Sequence, residues 1–308
     1  MKGIVTRSTG SWYNVKCDDG AMMECRIKGV FRLEGYTTTN PIAVGDHVEL
    51  VPEGNRATGM ITEILHRKNC IIRQSPKNPI AVHLVAANVD LCLIVATISQ
   101  PRTSFGFIDR IQMTAAAYEI PSIVVFNKLD IYSPKDFRKL EEYESVYHQA
   151  KIPFFKISAL NKNDVDTIHG LLKNKVTLIT GHSGVGKSTL INQLIPTLDL
   201  KTIEISQSTQ KGMHATTFAE MFELPDGGFL IDTPGMKEFG ILKMELWEVA
   251  HFFPEMLPHI GQCQFNNCVH INETKCGVKA AFERGEIPTQ RYDSYLSIVA
   301  DIQSKNKW

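Results

Sequence analysis

The apolar run Val176-Thr177-Leu178-Ile179-Thr180 leads directly into Gly181-His182-Ser183-Gly184-Val185-Gly186-Lys187-Ser188 and then into a helix-forming stretch. A strand, G-x-x-x-x-G-K-[ST] and a helix in that order constrain the chain to an α/β layer with a phosphate-binding turn. The glycines let backbone N–H groups turn inward around phosphate oxygens. Lys187 can bridge the outer phosphates, and the Ser188 hydroxyl can hold Mg2+ at the helix N-terminus beside Thr189. Upstream, apolar runs alternate with helical patterns: Leu91 to Thr97, Phe107 to Glu119, Ser122 to Phe126, Pro134 to Ala150, Phe154 to Ile157 and Asp164 to Leu172. Such near-continuous apolar strands imply a mostly parallel sheet covered on both faces.

The second motif, Asn127-Lys128-Leu129-Asp130, follows the strand pattern Ile123 to Phe126, at a carboxyl strand end where open α/β sheets bind ligands. The Asp130 carboxylate can accept from N1–H and the 2-amino group of guanine, whereas adenine would leave it facing a lone pair at a cost of roughly 1–3 kcal/mol. Asn127 is expected to brace the loop, Lys128 to lie over the base, and the Ala159 N–H of Ser158-Ala159-Leu160 to meet guanine O6. Asp232-Thr233-Pro234-Gly235 ends another apolar strand, placing Asp232 in the Mg2+ shell and Gly235 beside the γ-phosphate. Phe218 to Leu224 and Phe229 to Ile231 read as a hairpin closing one sheet edge. The guanine elements precede the phosphate elements, so the motif order is permuted, which a sheet assembled from strand ends tolerates.

Residues 1–68 carry short alternating runs broken by glycines and read as a small antiparallel barrel. Residues 69–88, with Pro76, Pro79 and several cations, read as a linker in which strand is not expected. Trp12 and Phe31 either face RNA or fill the barrel core. Residues 89–240 hold the nucleotide motifs, and 241–308 form a helical, cysteine-rich end. There Cys263, Cys268, His270 and Cys276 offer three thiolates and one imidazole, a full tetrahedral set for one structural Zn2+ per chain. His251 and His259 compete for the fourth position. Seven cysteines, an odd number with only these three clustered, argue against a disulfide framework. Lysine plus arginine and aspartate plus glutamate both total 33, so any polyanion must be met by local patches. Arg284, Arg291, Lys305 and Lys307 form either such a patch or a solvated face. The start lacks an apolar signal core and the greasiest run is too short to span a bilayer, so a cytoplasmic, monomeric protein with no membrane partner is expected.

Across essentially its whole length the chain resembles the circularly permuted, small-ribosomal-subunit-dependent GTPases, RsgA or YjeQ. The barrel, the permuted order and the cysteine cluster carry the resemblance. It implies an N-terminal OB-fold β-barrel that binds RNA, a central circularly permuted P-loop GTPase and a C-terminal helical zinc domain. It further implies GTP hydrolysis to GDP stimulated by the small (30S) ribosomal subunit and its rRNA, in late maturation of that subunit. A nucleotide-locked RNA-binding module with negligible turnover is the alternative. Met236 stands where GTPases of the Ras type carry a water-orienting glutamine. In Lys211-Gly212-Met213-His214-Ala215-Thr216-Thr217, Met213 and Ala215 depart from the family's Gly-Arg-His-Thr-Thr. Thr216, or else Thr217, is expected to complete the Mg2+ shell, and His214 to position or activate water.

Overall fold

The computed structural model describes residues 1–27, 40–54, 57–75, 78–198, 219–232 and 244–305. Phe31, His214, Thr216, Thr217, Gly235 and Lys307 lie outside the described residues. The chain opens with β1 (Lys2–Ser8), β2 (Tyr13–Cys17), β3 (Met22–Ile27), β4 (His47–Glu53) and β5 (Thr58–Ile64). Then come β6 (Cys70–Ser75), β7 (Asn78–Ala87), β8 (Leu91–Ala96), α1 (Phe105–Ala117), β9 (Ser122–Phe126), α2 (Pro134–Gln149), β10 (Phe154–Lys156) and α3 (Lys162–Leu172). The order continues with β11 (Val176–Thr180), α4 (Lys187–Leu194), β12 (Glu220–Glu223) and β13 (Phe229–Asp232). A 3-10 segment, Leu246–Phe252, precedes α5 (Leu257–Ile260), α6 (Gly277–Glu283) and α7 (Thr289–Lys305). Two compact units result: Met1–Cys92, Asp166–Thr180 and Ile191–Gly240 form the first, and Leu93–Val165, Gly181–Leu190 and Ile241–Trp308 the second.

In the first unit β1 pairs antiparallel with both β2 and β4, β3 runs parallel to β5, and β5 pairs with β4, so five strands close into an OB-like barrel. A register shift between Val5 and Arg7 bends β1 so that it can serve two partners. On β2, Tyr13, Val15 and Cys17 are buried while Asn14 and Lys16 are partly exposed, the period-two pattern of a strand with one face in a core. Trp12 is only partly buried, with the Arg26 guanidinium 4.9 Å over its ring. β12 and β13 form the expected antiparallel hairpin, and β13 runs parallel to β11. The hairpin does not end the sheet: β12 meets β1 of the barrel at Arg7 and Glu220, whose side chains pair at 3.1 Å.

The expected linker contains strands. β6 and β7 form a separate two-stranded ladder with register shifts between Ile71/Ile72 and Gln74/Ser75. Among the described residues β7 has no second partner beyond the Val44–Ala86 bridge at its far end, and an edge position of that kind tolerates a proline such as Pro79, second in β7. The ladder's foot is tied to the barrel by the Ala87 N–H donating to Val44 O at 2.8 Å and by Asn88 Nδ2 donating to Gly45 O at 2.9 Å. Gly45 has φ +89°, and a Cβ there would sit 2.2 Å from Ala87 O.

In the second unit the strand order is β10-β9-β8, with β9 and β10 parallel. Every residue of β8 and all but the first of β9 are buried, as a sheet covered on both faces requires. α2 begins with Pro134 after Ser133, whose hydroxyl and the Asp136 carboxylate form a reciprocal capping box. The C-terminal helices pack on α1, with Met113 in one core with Val249, Phe253, Val278 and Tyr295. Within this apolar setting Arg291 is fully buried. Its guanidinium donates to Asp109 at 2.6 Å and to both oxygens of Glu255 at 2.6 and 3.2 Å, while Tyr147 donates to Asp109 at 2.9 Å. Arg291 therefore belongs to the core and not to an RNA-facing patch. Burial alone would pull its pKa down, but the two carboxylates outweigh it and hold the guanidinium charged. Among the described residues no helix is long and apolar enough to cross a membrane.

Candidate functional site

The loops that follow β9 and β10 are knit together. Ile157 N–H donates to Phe126 O at 2.8 Å and Leu129 N–H to Ile157 O at 3.2 Å. Asn127, 1% exposed, sits at their junction: its Nδ2 donates to Val185 O of the glycine-rich loop and its Oδ1 accepts the Ala159 N–H, both at 2.9 Å. One buried amide thus clasps the loops predicted to hold phosphate and guanine. The Ala159 N–H, expected at guanine O6, is given to Asn127 because a buried donor needs a partner. Lys128 adopts φ +69°, which swings the chain into a 3-10 turn, Leu129–Ile131, and leaves Asp130 exposed. Asp130 Oδ1 accepts from Ser158 Oγ at 2.5 Å, and the Ser158 N–H is held by Asp164 at 2.8 Å. Lys128 Nζ donates to Gln100 O at 2.7 Å. Partial burial lowers the Lys128 pKa against the pull of Asp130.

In the glycine-rich loop, Gly181, Gly184 and Gly186 have φ of +146°, +85° and +95°. A Cβ at Gly181 would fall 2.2 Å from Val95 O, and one at Gly186 2.4 Å from Asn127 Nδ2, so the loop is closed to larger residues. Lys187 Nζ donates to the carbonyls of Gly181 and His182, both at 2.8 Å, lying back along the loop it would serve. Ser183 is exposed, whereas Ser188 and Thr189 are partly buried in the first turn of α4. The His182 ring stacks on Phe107 of α1 with centroids 3.6 Å apart. Sequence reasoning missed Phe107, which reads there as an ordinary apolar helix position. Asp232, the last residue of β13, is half-buried in the first unit.

Cys263, Cys268, His270 and Cys276 bring one ligand atom each within 4.8 Å of one another. Cys263 Sγ lies 3.8 Å from Cys276 Sγ, and His270 Nδ1 lies 3.5 and 3.3 Å from those two sulfurs. A tetrahedral ion with metal–sulfur bonds of about 2.3 Å and a metal–nitrogen bond of about 2.0 Å has edges of about 3.8 and 3.5 Å, so this group could hold a zinc ion. Burial pushes the Cys268 thiol up to about 12, raises Cys276 and lowers the His270 imidazole. Thiolates in this space call for a cation. His259 pairs instead with Glu286 at 3.4 Å and His251 lies edge-on to Trp247, so neither belongs to the group. His270 adopts φ +57° and its carbonyl accepts from Tyr292 OH at 2.6 Å. The loop is braced by Glu273, whose carboxylate accepts N–H bonds from Val269, Ile271 and Asn272 at 2.7, 2.8 and 3.0 Å. Burial would raise the Glu273 pKa, but those N–H groups outweigh it and lower it. The bracing role escaped the sequence because a lone acid in a turn carries no pattern.

A glycine-rich phosphate loop clasped to an N-K-x-D loop, with strand order permuted, defines a circularly permuted guanine-nucleotide-binding fold. Residues 64–242 match the family described as RsgA GTPase, and residues 2–61 match the RsgA N-terminal domain. The chain belongs to the RsgA GTPase family, a family of GTP hydrolases. It is 49% identical over 301 residues to the small ribosomal subunit biogenesis GTPase RsgA of Bacteroides fragilis, covering 98% of this chain and 97% of that protein. Identity to the protein of the same name from Phocaeicola vulgatus is 48%, again over 98% of this chain and 97% of the relative. Among solved structures it is similar to YjeQ from Thermotoga maritima, with TM-score 0.80, 33% identity and 98% of each chain covered. The circularly permuted GTPase YloQ matches with TM-score 0.75 and 27% identity, over 99% of this chain and 95% of that one.

Proposed function

We propose that this chain hydrolyses GTP to GDP and phosphate while docked on the small ribosomal subunit, acting in late maturation of that subunit. The observation that carries the nucleotide half is the Asn127 clasp, which holds the guanine-reading turn in register with the phosphate loop. Asp130 would exchange its Ser158 contact for the guanine N1–H and 2-amino group. Lys187 would leave the loop carbonyls for the outer phosphates, joining the N–H groups of the loop and of the α4 N-terminus. Ser188, Thr216 and Asp232 would hold Mg2+, which supplies neutralisation of the phosphate charge. Gly235 would sense the γ-phosphate, and His214 would position the attacking water once the subunit orders its loop.

The ribosomal half is supported by the names of relatives that cover almost all of this chain. On this reading residues 1–68 grip rRNA, 89–240 turn over GTP and 241–308 dock through a Zn2+-bearing module, the chain working as a cytoplasmic monomer. Two measurements test it. GTP should displace a bound labelled GDP far better than ATP does, and added 30S subunits should accelerate phosphate release. Binding without stimulated release would favour the nucleotide-locked module instead.

A further inference from the structure

A cavity of about 540 Å³ opens between the turn after β8 and the start of α2, and neither Asn127 nor any residue of the glycine-rich loop lines it. Arg102, Lys135, Arg138 and Lys139 line it above Ile98, with Asp136 and Glu142 as its acids. Both acids are engaged locally. Asp136 accepts from the Ser133 N–H and hydroxyl at 2.9 and 2.7 Å, and Glu142 accepts from Lys139 at 2.5 Å and from Gln290 at 3.0 Å. Lys135 and Arg138 are exposed and make no ion pair among the described residues.

Cations gather near the start of α2. Lys135, Arg138 and Lys139 sit in its first two turns, whereas Glu141, Glu142 and Glu144 follow. A helix N-terminus favours acids, so Lys135 in the first turn opposes the helix dipole beside Asp136, the acid of the capping box, while Arg138 and Lys139 stand one turn further on. Positions that break a local rule without structural gain are where function is expected. Spacing of i, i+3 and i+4 puts the three cations in one strip, and Arg102 lines the same cavity. No aromatic ring lines it, so it meets charge and not a base. In a chain of zero net charge, such a patch is a local concentration for a polyanion.

We infer that this cleft seats backbone phosphates of ribosomal RNA, giving the GTPase segment its own grip on the small subunit. The inference rests on the ribosomal reading above. The test is the double variant Lys135→Glu/Arg138→Glu, co-sedimented with purified 30S subunits across a salt series. Binding is expected to weaken about tenfold or more, and the slope of log K against log[salt] to become shallower by about 2, near one per lost phosphate contact. GTP turnover without subunits should stay unchanged, and thermal stability unchanged or higher, since acids suit that helix end. Wild-type affinity in the variant, or weaker binding with an unaltered salt slope, would overturn the inference and leave the ribosomal reading intact. Wild-type protein that fails to sediment with subunits would overturn that reading itself.

Discussion

Replacing Arg291 by methionine removes the only cation from a fully buried cluster that retains Asp109 and Glu255 among the described residues. Three charge-assisted bonds disappear, at 2.6, 2.6 and 3.2 Å. Two carboxylates are then left in an apolar core, and breaking a buried pair in this way costs about 3–5 kcal/mol. A folded state worth about 5–15 kcal/mol would lose roughly a fifth or more of its margin, and at about 2–4 °C per kcal/mol the Tm should fall by roughly 6–20 °C. The pH dependence carries a distinct signature. Burial already raises the Asp109 pKa against the pull of Arg291, and losing the guanidinium leaves that burial less opposed, so the folded-state value moves further above the unfolded one. The variant is then most stable below the unfolded pKa and loses stability as pH rises through the folded one. Circular dichroism melts at pH 5 and pH 8 read both effects. Adding Asp109→Asn and Glu255→Gln to Arg291→Met should restore most of the loss, because neutral groups avoid the charge penalty. A single variant within about 1 kcal/mol of wild type, or a triple variant no better than the single one, would refute the view that Arg291 holds α7 to α1 as a compensating charge.

Gly186→Ala drives a Cβ to 2.4 Å from the Asn127 amide at a φ of +95°, so titration calorimetry should find nucleotide binding lost while the far-ultraviolet spectrum persists. Asp130→Asn removes the charged acceptor for guanine, and GTP affinity should drop about a hundredfold, some 2.7 kcal/mol, with ATP affinity little changed in a competition assay. Purified protein should contain one zinc per chain by mass-spectrometric metal analysis, and Cys276→Ser should reduce that content and destabilise the C-terminal helices. Glu273→Gln should speed zinc loss to a chromogenic chelator. In the wild type, the bracing of Glu273 is present above about pH 4.3 and fades as pH falls through its lowered folded value, so acid should mimic the variant.

Much of the site could be read from residue order because each motif is local. The P-loop is one strand, one turn and one helix, and the strands Ser122–Phe126 and Val176–Thr180 are mostly apolar runs whose ends are marked by Asn127 and Gly181. The cysteine cluster was legible for the same reason: its four ligands span a single turn-rich stretch. What stayed hidden depends on pairs far apart in the chain. Arg291 reads as a surface helix cation until Asp109 and Glu255 are brought to it. The ladder of β6 and β7 hides behind prolines and charges that an isolated hairpin tolerates and a central strand would not. The pairing of β12 with β1, over 200 residues away, has no trace in either segment.

The bond between Asp109 and Arg291 joins residues 182 apart in sequence. On a ribosome adding about 5–20 residues per second, Asp109 is made roughly 9–36 s before its counter-ion. Throughout that interval Asp109 has no guanidinium to meet, and the apolar positions of α1, Met113 among them, have no C-terminal helices to cover them. α1 is also the helix whose Phe107 stacks on the phosphate loop. A chain stalled short of residue 291 therefore carries an α1 whose buried acid and apolar face both lack the partners that the finished fold gives them.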